Sequence, residues 1–198
     1  STHPIQVPVE SAERAREIFD IITYQKGGAV LSMLEAWLGA DAFRDGLRGY
    51  MKAHMHKNAK AADLFAALEL ASGKPVKEVA NIWITQGGHP LVTAKVACTA
   101  GQPSKVTLAQ DRYALGTGGP TGVPWKTPVC VRYPDAGTVK TQCSLTSGTS
   151  GEMTLETSAC PGWILPDANA AGFYTWSIEP AAWRELARNA GKSLPPEE

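Results

Sequence analysis

An excess of either charge is missing from this 198-residue chain: nineteen Lys and Arg are matched by nineteen Asp and Glu, and no run of five or six like charges occurs. That balance argues against nucleic acid or an anionic membrane as the main partner, because both are held by clustered basic side chains. No apolar run approaches the roughly 18 residues needed to cross a bilayer, and the first residues lack the basic and apolar regions of a secretory signal. A G-x-S-x-G nucleophile elbow is absent. The glycine-rich stretch Gly116–Gly122 is interrupted by Pro120 and no Gly-Lys-Ser/Thr follows it, so it reads as a flexible connection and not as a phosphate cradle. Cysteine is absent before Cys98. The four that follow, Cys98, Cys130, Cys143 and Cys160, never form a C-x-x-C pair, which argues against a zinc ribbon or a thioredoxin-type centre. No internal repeat is visible.

What is present is a 43% hydrophobic chain, long enough for one large or two small cores. Its first half carries helical periodicity. Residues 1–10 read as an extended segment, and Ser11 can cap a short helix to about Phe19. Asp20 is the natural cap of the next helix, which ends near Gly39 and places Val30, Leu31, Leu34, Trp37 and Leu38 at three-and-four spacing. Gly27 and Gly28 in that helix would let a neighbouring backbone approach. A third helix starts at Asp41 and runs to about His56, with Phe43, Leu47, Tyr50 and Met51 along one side. A fourth covers Ala61 to Ala71, with Leu64, Phe65, Leu68 and Leu70. A fifth follows Pro75 and reaches Gln86, with Val76, Val79, Ala80 and Trp83 inward, and Gly87-Gly88-His89-Pro90 breaks it.

From Leu91 the pattern changes to period two, rich in Thr and Val and punctuated by Gly and Pro. Strands are predicted near 91–98, 104–110, 127–133, 138–145, 152–157, 163–165 and 172–177, a number that suits a β-sandwich. A last helix begins at Ala181 and ends by Gly191, leaving Pro195–Glu198 as a tail. With Ala136-Gly137 as a hairpin tip, Cys130 and Cys143 stand equally far from it and face each other. Facing residues of a non-hydrogen-bonded pair have Cα atoms about 4.5 Å apart, within disulfide range. Cys98 and Cys160 are then the remaining pair. Two disulfides would place the protein in an oxidising compartment, periplasmic or extracellular.

Ser1-Thr2-His3-Pro4-Ile5, Ile18-Phe19-Asp20 and Thr23-Tyr24-Gln25-Lys26-Gly27-Gly28-Ala29-Val30-Leu31-Ser32-Met33-Leu34 resemble the segment after the zinc site of the aminopeptidase N family of gluzincins. The likeness continues through Phe43–Leu47, His54, Asn58-Ala59, Asp63–Phe65, Ser72-Gly73 and Trp83–Pro90. More loosely, Gln110–Tyr113, Trp125–Val129 and Ile164–Tyr174 are similar to landmarks of the family's small β-domain. The resemblance implies an α+β protein. Its parts are the helical end of a catalytic domain (1–90), an immunoglobulin-like antiparallel β-sandwich (91–177), and the start of a truncated helical domain (178–198). The family's H-E-x-x-H, following glutamate and G-x-M-E-N strand are not in these residues. The chain is therefore expected to be a fragment. Zinc would belong to the parent enzyme, with none expected here; the partners would be peptide substrates and the missing zinc-site and N-terminal domains, with no nucleic acid and no membrane span.

Taken alone, Tyr24 is a packed aromatic at a helix start. The resemblance implies another role, because the matching tyrosine of the family donates its phenolic proton to the oxyanion of the tetrahedral intermediate. Lys26 is two residues away on a helix and points elsewhere. His54 and His56 lie on different sides of a helix with no Glu or Cys nearby, and His3 and His89 flank prolines; all four read as packing residues. Two functions are compatible with these observations: a piece of a zinc aminopeptidase that removes N-terminal residues from peptides and is inactive alone, or a non-catalytic module that binds a protein or glycan.

Overall fold

The computed structural model describes residues 3–11, 13, 20–114, 123–189, 191 and 194. Most of the expected helix from Ser11 to Phe19, the whole Gly116–Gly122 connection and the tail 195–198 lie outside the described residues. The chain divides into two compact units, Ser1–Gly88 and His89–Glu198.

The first unit contains four described helices: α1 (Ile21–Leu38), α2 (Ala40–Ala53), α3 (Ala61–Ser72) and α4 (Val76–Thr85). Short connections make them neighbours of one another. Val30, Met33, Leu34, Trp37 and Leu38 of α1 are buried, as are Phe65 and Leu68 of α3 and Val76, Val79, Ala80 and Trp83 of α4. Two expectations are corrected in α2. It ends at Ala53, not His56, because His56 takes a left-handed backbone conformation at φ 59°. Its inner face also differs: Gly46 is buried while Leu47 and Met51 are exposed.

Glycine has a role in helix approach, but at another place than the sequence suggests. Nothing among the described residues lies within 4 Å of a Cβ built at Gly27 or Gly28. At Gly46 the same Cβ would meet Leu68 Cδ2 at 2.8 Å and Leu68 Cα at 2.9 Å, so α2 and α3 touch there through backbone. A side chain could yield, but the Cα of a helix cannot do so without parting the pair. Overpacking costs typically about 1–3 kcal/mol, against roughly 1 kcal/mol that Ala gains over Gly inside a helix. Gly46→Ala is therefore expected to lose up to about 2 kcal/mol net, with about 1 kcal/mol as the central value. Urea titration checks it, and an unchanged midpoint would mean that the helices separate without cost.

The second unit is a two-sheet β-structure. Strands β1 (Pro90–Ala97), β2 (Lys105–Arg112), β3 (Lys126–Asp135), β4 (Thr138–Ser147), β5 (Ser150–Thr154) and β6 (Thr175–Ile178) form one sheet of order β5-β2-β1-β6 and a second of β3-β4. All pairings are antiparallel except β1 with β6, which is parallel. In β2, buried Val106, Leu108 and Gln110 alternate with exposed residues, and Val129, Val131 and Tyr133 of β3 complete the interior with Trp163, Ile164 and Leu165. Gln110 joins the sheets. Its Nε2 donates to the carbonyls of Trp125 (2.6 Å) and Gly148, and its Oε1 accepts from the Thr127 hydroxyl at 2.9 Å.

The stretch 163–165 is not a strand. It makes a single antiparallel bridge, Leu165 with Arg132, because Pro166 follows at once and has no N–H to continue a ladder. Likewise β6 starts at Thr175 and not at Gly172, since the preceding residues form a 3-10 turn with Asn169 and Ala170 left-handed. Helix α5 (Pro180–Asn189) follows β6, with Trp183 stacked on Trp176 at 4.7 Å and Glu179 paired with Lys95.

The β3–β4 turn has φ of 48° at Ala136 and 82° at Gly137, the two left-handed residues of a type I′ turn. The register is Asp135 opposite Thr138 and Cys130 opposite Cys143. A disulfide joins Cys130 to Cys143 with Cα atoms 3.9 Å apart, and a second joins Cys98 to Cys160 at 5.7 Å. Asp135 fixes the hairpin tip to the loop after β5, accepting from the Lys140 ammonium, the Ser158 N–H and hydroxyl, and the Thr157 hydroxyl. These donors, the ammonium first, hold its carboxyl far below the usual carboxylate range.

Candidate functional site

The first turn of α1 is locked from both ends of the first unit's sequence. Asp20 has an extended backbone, and its Oδ1 accepts the Thr23 N–H at 2.9 Å, which satisfies one of the free donors at a helix start. Its Oδ2 lies 2.7 Å from His3 Nε2, and His3 Nδ1 lies 2.6 Å from the Pro4 carbonyl oxygen. Each ring nitrogen thus faces an acceptor, and only the imidazolium can donate to both. Further along α1, Lys26 is 4% exposed and its ammonium donates to the Gln86 carbonyl after α4. Beside it, the Gln6 N–H donates to Ile84 O at 2.8 Å.

The electrostatics follow from these contacts. The Thr23 N–H and then His3 pull the Asp20 carboxyl down to about 2. Asp20 and then the Pro4 carbonyl raise His3 above its ordinary value, with the Lys26 cation opposing. The contribution of a depressed carboxylate is present above its unfolded pKa and lost as pH falls through the folded one. A raised histidine contributes fully below its unfolded pKa and loses the contribution as pH rises through the folded one. The clamp should therefore hold best from about pH 4 to about pH 6.5, the unfolded values of Asp and His. Asp20→Asn should bring the His3 titration back toward about 6.5. Proton NMR of the imidazole C–H measures it, and identical titrations in the two proteins would show that Asp20 does not hold the ring.

Tyr24 sits on this locked turn. Its backbone N–H points to Asp20 O at 3.4 Å, and the residue is 61% exposed, so the packed-aromatic reading does not describe it. Tyr133 and Tyr174, by contrast, are buried; their hydroxyls donate to Gln142 Oε1 at 3.0 Å and to Pro166 O at 2.7 Å. Ile21, Gln25 and Gly28 share the exposed face of Tyr24 at three-and-four spacing, and none of them is charged. Such a face offers a phenol on a rigid backbone, with open space where glycine replaces a side chain.

The histidines are placed differently from one another. His3 is a clamp of the helix cap and not merely a packing residue; its partner is 17 residues away, so no local pattern signals the pair. His54 caps α2, its N–H bonding Tyr50 O and its ring 5.2 Å from that of Tyr50. His89 stacks on Tyr113 at 5.0 Å, and its Nε2 is 3.1 Å from Thr175 Oγ1. Among the described residues, no three His, Cys, Asp or Glu side chains are grouped as a metal ion would need. No described helix is long and apolar enough to cross a membrane.

Comparison with known proteins adds the relationship. Residues 1–83 match the peptidase family M1 domain. Aminopeptidase M1 of Arabidopsis thaliana is 36% identical over 208 residues, covering 97% of this chain and 22% of that protein. Aminopeptidase A of Gloydius brevicauda is 33% identical, covering 94% and 20%. Alanine/arginine aminopeptidase of Saccharomyces cerevisiae is 43% identical over 118 residues, covering 60% and 13%. The chain thus spans about a fifth of the length of the first two relatives. The residues around Tyr24 lie within the matched segment, and along almost its whole length the chain is similar to aminopeptidases of peptidase family M1.

Proposed function

We propose that this chain is part of an enzyme that removes N-terminal residues from peptides, and that Tyr24 is its oxyanion donor. The observation that carries the reading is the 61% exposure of Tyr24 on a helix turn held by Asp20, Thr23 and His3. A phenol of pKa about 10 stays protonated at neutral pH and can donate to the oxygen that becomes negative when a peptide carbonyl is attacked. Because the turn that carries the donor is held before reaction, less reorganisation is needed as the charge develops.

In this reading residues 1–90 are the helical end of the catalytic domain, 91–177 the β-sandwich that follows it, and 178–198 the start of a further helical domain. The two disulfides favour a parent exported to an oxidising compartment. Zinc is the family's cofactor, but the residues present do not fit it: the described side chains include no cluster of three ligands, and the sequence has no H-E-x-x-H.

The isolated 198 residues are expected to bind no stoichiometric zinc and to hydrolyse no aminoacyl anilide, while the full-length enzyme does both. Elemental analysis after dialysis and a turnover assay on both proteins test this. One zinc per isolated chain would overturn the assignment of the metal to other residues. A full-length protein that retains zinc and turns over no aminoacyl substrate would overturn the proposed function.

A further inference from the structure

The two disulfides occupy different surroundings. Cys130 is 7% exposed on β3, whereas Cys98 and Cys160 are both exposed at one end of the second unit. Beside Cys98–Cys160 lies a cavity of about 280 Å³, lined by the pair itself and by Thr99, Gly101, Gln102, Ser104, Thr157 and Ser158, among others. The side chains named are uncharged and mostly hydroxyl-bearing, and the volume stands just below the range of small-ligand pockets. One lining group is built into the fold: Ser104 is 4% exposed, its carbonyl accepts the Leu155 N–H at 2.8 Å, and its Oγ is 3.5 Å from Cys98 Sγ. A disulfide sulfur has no proton, so here the serine hydroxyl is the donor.

We propose that Cys98–Cys160 and this cavity form a thiol–disulfide exchange site for a low-molecular-weight peptide thiol, attacked at Cys160 and released at Cys98. The thiolate of the small thiol forms a bond to Cys160 Sγ while the Cys98–Cys160 bond breaks, and the electron pair of that bond leaves on Cys98. The Ser104 hydroxyl donates to the departing Cys98 thiolate and favours this direction, since the thiol with the lower pKa leaves faster. A second thiol then attacks the small-molecule sulfur of the mixed disulfide. Cys160 is freed as a thiol, and two molecules of the small thiol have become one small disulfide, the two electrons residing on the protein dithiol. The loop after β5 is thereby untied from the β1–β2 connection. Cys130–Cys143, buried at Cys130 within a paired hairpin, offers no comparable approach.

The test exposes the folded 198-residue protein to glutathione at mildly alkaline pH, quenches with a large excess of iodoacetamide at the same pH, and maps the peptides over time. The expected first product carries glutathione on Cys160 and a carbamidomethyl group on Cys98, and Cys130–Cys143 opens at least about tenfold more slowly, because exchange depends on access. Glutathione on Cys98 first, or equal opening of both disulfides, overturns the proposal. Ser104→Ala should slow the exchange and raise the pKa of the Cys98 thiol in the reduced protein, read from the pH profile of its alkylation, while Ser104→Thr keeps both. An unchanged alkylation profile in Ser104→Ala removes the role of the hydroxyl. Ala159→Trp, which fills the cavity, should slow glutathione more than 2-mercaptoethanol; equal slowing shows that the cavity holds no ligand.

Discussion

Tyr24→Phe in the full-length enzyme is expected to lower kcat by about 10² to 10³, equivalent to about 2.7–4 kcal/mol, with KM nearly unchanged. The split follows from when the charge exists: the oxyanion develops along the reaction path and is absent in the bound ground state, so its donor adds little to substrate affinity. Folding should be spared. The residue is 61% exposed and the ring is kept, so stability should change by no more than about 1 kcal/mol. The measurement is kcat and KM on an aminoacyl anilide, with zinc content and thermal unfolding checked in both proteins. A mutant with full zinc and a near-normal kcat would return Tyr24 to the rank of a surface aromatic.

Replacing both Cys98 and Cys160 by alanine is expected to cost about 4 kcal/mol of unfolding free energy in the second unit. The pair spans 62 residues, and the chain-entropy relation for a loop of that length gives this figure, compared with about 3 kcal/mol for the 13-residue span of Cys130–Cys143. Both positions are exposed, so the replacement leaves no core cavity to add to the loss. For a unit of this size the midpoint should fall by on the order of 15 °C. Calorimetry of the oxidised protein and the double mutant measures it. A loss below about 1 kcal/mol would mean that the denatured chain is already compact enough to keep the two ends close.

The two effects fall on different units and answer different questions. Losing the Tyr24 hydroxyl removes a donor from chemistry and leaves the fold, whereas losing the Cys98–Cys160 link weakens the fold without touching the first unit. The Asp135 hub behaves like the second class but is governed by pH. Its carboxyl is held far below the usual range by Lys140, Ser158 and Thr157. Its contribution is therefore present above about pH 4, the unfolded value, and fades as acid approaches the folded one.

What could be read from the chain alone was local in sequence. Asp20 as a cap, Gly39 as a helix end, Ala136-Gly137 as a two-residue hairpin tip and the inward face of α4 each depend on residues within one or two turns. Backbone sterics and side-chain period suffice for these. The hairpin shows how far such reasoning reaches: once the tip is known, the pleat puts Cys130 opposite Cys143. Tyr24 was singled out by its resemblance to a family residue, and nothing in composition or spacing marked it.

Tertiary structure decided whatever depends on which distant surfaces meet. Gly27 and Gly28 have the residue type for a close helix approach, but Gly46 is where Leu68 arrives. His3 flanks a proline and carries no local signal, yet it completes the cap of Asp20. Gln110 and Thr127 stand in separate stretches and become one buried hydrogen-bonded pair. Ser104 is only the first residue of an expected strand in sequence and a partner of Cys98 in space. The exposure of Tyr24 belongs to the same class, because the three-and-four period of α1 defines an apolar stripe without saying which turns of it a neighbour will cover. Propensity and pattern act over a few residues, whereas burial and pairing are settled by chain segments tens of residues apart competing for the same surface.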